Sequence, residues 1–249
     1  MKMQINANAV ANGAAAAEFI AAKINEAIKD HGYCRIVLST GSSQFEMFQA
    51  IVKLDVDWSK VEMFHLDEYV GLPVTHIASF RKYLTERFID LLPVPMKEVN
   101  FVNGEGDVEA NIKALSEKLW EKPVDIGVIG IGENGHIAFN DPPADFDTEE
   151  AYKVVNLDER CKKQQVGEGW FPDVDAVPKQ AISMTVKQIL KAKCIVSITP
   201  HTVKAEAIYN TLTKPLTNRI PATALKTHPD WNLFIDYDSA KLIYDSTNL

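Results

Sequence analysis

The chain has 249 residues, enough for one large domain or two small ones, and 46% are hydrophobic, so a sizeable core can form. A net charge of -8 excludes a protein that grips nucleic acid through a basic surface, yet leaves room for a local basic pocket that takes a small anion. The first ten residues lack the apolar core of a signal peptide, and no apolar run approaches the length of a membrane span.

From there apolar runs alternate with helical patterns. Residues 9–32, AVANGAAAAEFIAAKINEAIKDHG, are Ala-rich with apolar residues every three to four positions, which predicts a helix that stops at His31-Gly32. CRIVLS (34–39) reads as a short buried strand, and SSQFEMFQAIV as a helix capped by Ser42 or Ser43. VEMFHLDE (61–68) is the next strand. ASFRKYLTERFIDLL and, after the short segment VNFVNG, EANIKALSEKLWEK are helical. VDIGVIG (124–130) is the most continuous buried strand; AISMT, CIVSIT and NLFIDY follow as strands, with VKQILKA and TVKAEAIYNTL as helices. Cys34, Cys161 and Cys194 stand far apart without C-x-x-C or metal-ligand spacing, and two of them open apolar runs. They read as buried reduced thiols of a cytoplasmic protein.

This rhythm predicts an α/β fold, a mostly parallel sheet covered by helices. No Gly/Ser- or Pro-rich linker divides it, so residues 1–249 read as a single domain. In such sheets ligands bind at the carboxyl ends of strands, and the informative residues should follow the strand candidates.

Several do. In LSTGSSQFEMF (38–48), the backbone N–H groups of a strand-to-helix turn and the hydroxyls of Thr40, Ser42 and Ser43 form an anion cradle; a plain helix cap is the competing reading. The Walker spacing is absent, which argues against a nucleoside triphosphate. In FHLDEYVGL (64–72), Asp67 and Glu68 fall at a strand end. Adjacent strand residues face opposite sides, so only one can enter a given pocket, there to act as a general base; a solvated acidic turn is the alternative. Among the basic residues Arg160, Lys162, Lys163, Lys179 and Lys204, Lys204 stands out. It lies early in the helix after CIVSITPHT, over the same sheet edge as the Ser loop, whereas Lys162 and Lys163 suit a solvated face.

The stretch GIGENGHIAFNDPP (130–143) spells G-x-G-x-x-G after an apolar run, the signature of a dinucleotide turn. Such a turn needs a continuing helix to hold the pyrophosphate. Pro142 and Pro143 would cut that helix short, so the cofactor reading is rejected. What remains is His136, flanked by Asn134 and Asp141, in a glycine-rich strand end that gives a ligand close access.

Taken together, FHLDEYVGL and GENGHIAFNDPP make the chain resemble the glucosamine-6-phosphate deaminase family, also called glucosamine-6-phosphate isomerase and related to the 6-phosphogluconolactonases. STGSS, VPKQAISMT, the lysine of TVKAEA and PATALKTHP match as well, over roughly residues 30–240. The resemblance implies a Rossmann-like three-layer fold. It also implies a sugar-phosphate substrate, no metal or organic cofactor, no nucleic-acid or membrane partner, and leaves a homo-oligomer open. By that analogy Asp67 moves a proton between C2 and C1 and His136 opens the sugar ring. Thr40, Gly41, Ser42, Ser43 and Lys204 hold the phosphate. Glu68, Gly135 and Arg160 are counted with the substrate-binding set, and Asn134 and Asp141 with the catalytic one.

Three departures from the family pattern stand out. Asn134 and Asp141 occupy positions where well-known members carry Asp and Glu, so one carboxylate fewer supports a protonated imidazole, and Asp141 is a methylene shorter. PADFDTEEAYK is acidic where allosterically regulated members carry a Ser/Arg-rich run, which predicts no amino-sugar activation. CKKQQVGEGWF (161–171) replaces the region of a phosphate-binding arginine, with Arg160 and Lys163 the candidates to stand in. Two other readings compete: a sugar-phosphate lactonase in which His136 activates water, and a catalytically silent sugar-phosphate sensor.

Overall fold

A computed structural model describes residues 1–247. The strands are β1 (Lys2–Asn6), β2 (Cys34–Leu38), β3 (Val61–His65), β4 (Asp67–Tyr69), β5 (Glu98–Asn100), β6 (Ile126–Val128), β7 (Tyr152–Asn156), β8 (Gln180–Met184), β9 (Cys194–Ile198) and β10 (Trp231–Asp236). The helices are α1 (Ala9–His31), α2 (Phe45–Ile51), α3 (Phe80–Arg87), α4 (Val108–Trp120), α5 (Glu159–Gly167), α6 (Val186–Ile189), α7 (Ala205–Thr213) and α8 (Lys241–Thr247).

Seven strands pair in the order β1-β10-β9-β6-β2-β3-β5, with every neighbouring pair parallel. Alternation along each strand divides the side chains between two cores. Ile36, Leu38, Met63, Val196 and Phe234 pack with Ala16, Ile20, Ile24, Met47 and Leu84 of α1, α2 and α3. Val37, Phe64, Ile195, Leu233 and Ile235 pack on the other face with Leu119, Val186 and Ile208 of α4, α6 and α7. Both faces of the sheet are thus closed to water, which is why its strands read as continuous apolar runs rather than alternating ones. α1 stops where expected: Gly32 takes a left-handed conformation, φ 85°, and its N–H returns to the Ile28 carbonyl.

The structure differs from expectation in three places. VEMFHLDE is not one strand. β3 ends at His65, the chain turns at Leu66, and Asp67 opens β4 in a second, antiparallel sheet of order β4-β8-β7. Leu66 stitches the two sheets, donating to the Leu38 carbonyl and accepting from the Met184 amide. Second, neither Ser42 nor Ser43 caps a helix by its side chain; both sit in a 3-10 turn, Ser42–Gln44, ahead of α2. After Gly135 the structure agrees with expectation: no helix follows, and the chain makes a turn closed by an isolated bridge between Ile137 and Asn140. Third, β1 and β7 are strands that periodicity did not single out. β1 is an edge strand with exposed residues, and β7 packs only one face, so neither forms a continuous apolar run.

Strand order reverses between β2 and β6. From β2 the chain steps outward to β3 and β5, then returns to β6 on the other side and continues to β9 and β10. The loops leaving β2 and β6 therefore diverge and leave a crevice at the carboxyl edge, the place where open sheets bind ligands.

Candidate active site

That crevice is a cleft of about 620 Å³, open to solvent. Its walls come from four strand ends. The loop after β2 brings Ser39 to Gln44, β4 brings Asp67, the loop after β6 brings Gly130 to His136, and the turn after β9 brings Lys204. Thr40, Gly41, Ser42, Ser43, Lys204, Asp67 and His136 thus meet in one place. The Ser loop is held from two sides. The Tyr83 hydroxyl donates to the Gly41 carbonyl at 2.8 Å, and Gln44 donates from beneath to the Ile198 carbonyl at 3.2 Å.

Asp67 and Glu68 separate as adjacent strand residues must. Asp67 faces the cleft, and its carboxylate makes no hydrogen bond or ion pair among the described residues. Burial, and then the Glu68 charge beside it, raise its pKa well above the usual carboxylate range. Glu68 points the other way and is fully buried. It accepts from the Ser79 hydroxyl, the amides of Phe80 and Arg81, and the Arg81 guanidinium. The expected substrate contact of Glu68 is therefore corrected: its oxygens are taken up in fixing α3 and β4.

His136 stands on a turn in which the Gly132 amide donates to the His136 carbonyl, and the His136 amide donates to Asn134 Oδ1 at 3.0 Å. Nδ1 lies 3.1 Å from Asp141 Oδ1, an ion-pair contact without full hydrogen-bond alignment. Burial alone would push the Asp141 carboxyl up, but His136 and the Asn134 amide outweigh it and hold it below the usual range. Asn134 donates to Asp141 at 3.3 Å, so it orients the carboxylate instead of adding a second one. The shorter Asp141 does reach the imidazole.

Two glycines explain themselves by what surrounds them. A Cβ on Gly132 would lie 2.2 Å from His136 Nε2, so this position must be bare for the imidazole to lie over it. Gly135 takes φ 82° and abuts Ile220, and it lines a neighbouring hollow rather than the cleft. Its expected role in direct substrate contact is corrected accordingly: it turns the chain so that His136 faces inward.

Lys204 is almost fully buried, and burial lowers its pKa against the opposing pull of Glu168 and Glu133. Arg160 and Lys163 are exposed and line a second hollow, joined to the first through Ser42, Gln164, Glu168 and Lys204. Lys162 pairs with Glu159, and Lys179 is exposed outside both hollows.

A family model described as glucosamine-6-phosphate isomerases/6-phosphogluconolactonase matches residues 7–233. The chain belongs to that family. It is 37% identical over 231 residues to a glucosamine-6-phosphate deaminase of Staphylococcus epidermidis, covering 89% of this chain and 93% of that protein. A glucosamine-6-phosphate deaminase of Streptococcus pneumoniae is 35% identical over 237 residues, covering 95% of this chain and 97% of the other. Among solved structures, a monomeric glucosamine-6-phosphate deaminase superposes with a TM-score of 0.90 at 28% identity, covering 97% of this chain and all of that one. The 6-phosphogluconolactonase of Thermotoga maritima shares the fold, with a TM-score of 0.78 at 13% identity.

Sequence reasoning missed one wall of the family's cleft. Gln164, Gln165, Glu168 and Trp170, on and just after α5, also line the cleft, with Gln164 and Glu168 near Ser42. Gln165 accepts from the Tyr69 hydroxyl at 2.8 Å and Trp170 donates to Glu168 at 3.1 Å. The segment drew attention only because it departs from the family pattern. Its side chains join the site through packing with β4 and α3, which no local periodicity records.

Proposed function

We propose that this chain is a cytoplasmic glucosamine-6-phosphate deaminase, converting glucosamine 6-phosphate and water to fructose 6-phosphate and ammonia. One observation carries the reading: a buried, unpaired carboxylate, Asp67, shares a cleft with a carboxylate-backed imidazole and a hydroxyl-lined anion cradle. Thr40, Ser42, Ser43 and Lys204 hold the phosphate, with Arg160 and Lys163 adding positive charge along its approach. Binding energy from this remote group positions the reacting carbons. Asp141 keeps the Nδ1 proton on His136, which leaves Nε2 free to take the O1 proton and deliver it to O5 as the ring opens. Asp67 then removes the C2 proton and returns it to C1. This leaves an iminium at C2; a water molecule adds there, and collapse of the carbinolamine so formed expels ammonia and leaves the ketose. The three free, buried cysteines fit a reducing compartment.

The lactonase reading gives Asp67 no task, because lactone hydrolysis moves no proton between carbons. The silent-sensor reading rested on a weakened catalytic set, and the contact between His136 and Asp141 counts against it. Ammonia release should be assayed with glucosamine, galactosamine and mannosamine 6-phosphates. Asp67→Asn should abolish release and His136→Gln should reduce it. No ammonia from any of the three defeats the proposal, and loss of 6-phosphogluconolactone in its place selects the lactonase.

A further inference from the structure

Behind His136, on the side away from the cleft, three potential metal ligands converge. His136, Asp141 and Cys161 present ligand atoms that all lie within 4.8 Å of one another. Nδ1 is the histidine nitrogen that faces Asp141, at 3.1 Å. His136 Nδ1 and Asp141 Oδ2 are buried without a fully aligned hydrogen bond, and the one carboxylate is drawn on by both the imidazole and the Cys161 thiol. The three groups therefore share one small space, and a cation there would replace these contacts. The thiol is 1% exposed, on the first turn of α5. A site of one nitrogen, one oxygen and one sulfur suits a borderline-soft cation that accepts tetrahedral coordination, leaving a fourth position for water. The hard cations magnesium and calcium prefer all-oxygen sites.

We propose that His136, Asp141 and Cys161 form an inhibitory site for a thiophilic divalent cation of the zinc class. On binding, the cation takes the Nδ1 lone pair, a carboxylate oxygen and the Cys161 sulfur, and the thiol proton leaves to solvent. With the metal on Nδ1, the single proton of the neutral imidazole resides on Nε2. Nε2 is the nitrogen over Gly132, on the wall of the cleft. Histidine then offers a donor to the cleft where ring opening needs an acceptor. The metal also engages the carboxylate that supported a protonated ring. Turnover is blocked while the phosphate-binding residues stay in place, so kcat falls and KM is little changed. Metal binding stands apart from the deaminase reading; its inhibitory effect rests on that reading.

The test uses the purified full chain. Cadmium titration should give one bound ion per chain with the ultraviolet sulfur-to-cadmium charge-transfer band, and zinc should compete it away. In Cys161→Ser the band should vanish. In both Cys161→Ser and Cys161→Ala zinc affinity by calorimetry should fall more than about tenfold, the least that loss of a ligand should cost when outer-shell changes alone cost that much. Cys34 and Cys194 remain in both variants, so a band that persists in Cys161→Ser overturns the proposal. So does failure of the wild-type chain to bind either metal at millimolar concentration. Circular dichroism verifies that the variants fold, and Asp141→Asn serves as a third ligand variant if neither cysteine replacement does. Chelator-reversible loss of ammonia release in wild type, absent in a folded Cys161 variant, completes the case. Metal bound at Cys161 without any loss of turnover overturns the inhibitory assignment.

Discussion

Asp67 is a carboxylate placed where water can scarcely solvate its charge. Its raised pKa means that the folded state binds its proton more tightly than the unfolded chain does. The sign follows from linkage: stability is full below the unfolded value and falls as pH rises through and above it. Asp67→Asn removes that penalty. It should raise Tm at neutral pH, because the neutral amide is spared the desolvation of a buried charge. The same change should abolish ammonia release. Equal or lower Tm in differential scanning calorimetry would contradict the strain assigned to this carboxylate. As base, Asp67 must be ionised, so the acid limb of the kcat/KM profile should lie above the ordinary carboxylate range. Gly132 sets the other half of the chemistry. Gly132→Ala would drive a methyl into the His136 ring, and a displacement near 1 Å costs about a hundredfold in rate. Steady-state kinetics should therefore show a fall in kcat of about that size, with a smaller change in KM.

At the scale of elements, the site depends on how α3 and α5 brace the loop after β2. Tyr83 lies on α3, packs against Phe45 and Phe48 of α2, and donates its hydroxyl to the Gly41 carbonyl. Trp170, just beyond α5, meets the same tyrosine ring edge-on at 6.3 Å. Tyr83→Phe keeps the ring and removes one hydrogen bond, worth about 1 kcal/mol. The Ser loop loosens, and KM for the sugar phosphate should rise about fivefold with kcat nearly unchanged. Unaltered KM would show that the loop is held without this bond. Glu68 is the converse case. It anchors the N-terminus of α3 and Arg81, so it shapes the site without entering it.

Across the whole molecule, regulation is the remaining question. The acidic segment after Pro143 folds back on β7. Lys153 on that strand pairs with Asp145 at 2.7 Å and, with the local amides, draws its carboxyl down to about 2. The segment is tied to its own strand by opposite charge, and it carries no cluster of cations to receive a phosphorylated effector. Saturation curves with and without N-acetylglucosamine 6-phosphate should superimpose. A leftward shift in its presence would refute this. Among the described residues no helix is long and apolar enough to cross a membrane.

The β-then-α rhythm and the helix stop at Gly32 were legible in the linear chain, and Asp67, His136, Lys204 and the Ser loop, candidates there with the help of the family resemblance, line one cleft. Continuous apolar runs mark strands buried on both faces, and small or polar residues mark where those strands end. The rest lay beyond local pattern. The break of residues 61–68 into two strands of different sheets depends on β8 pairing with β4 from more than a hundred residues away. The inward turn of Asp67 over Glu68 is decided by that pairing and by Arg81. Gly132 and Gly135 look alike in sequence, yet one makes room for an imidazole and the other for Ile220. Sequence by itself determined which residues can do chemistry at the strand ends. Only the tertiary structure decided which of them face one another, because facing is a property of contacts between distant segments, and no residue carries it alone.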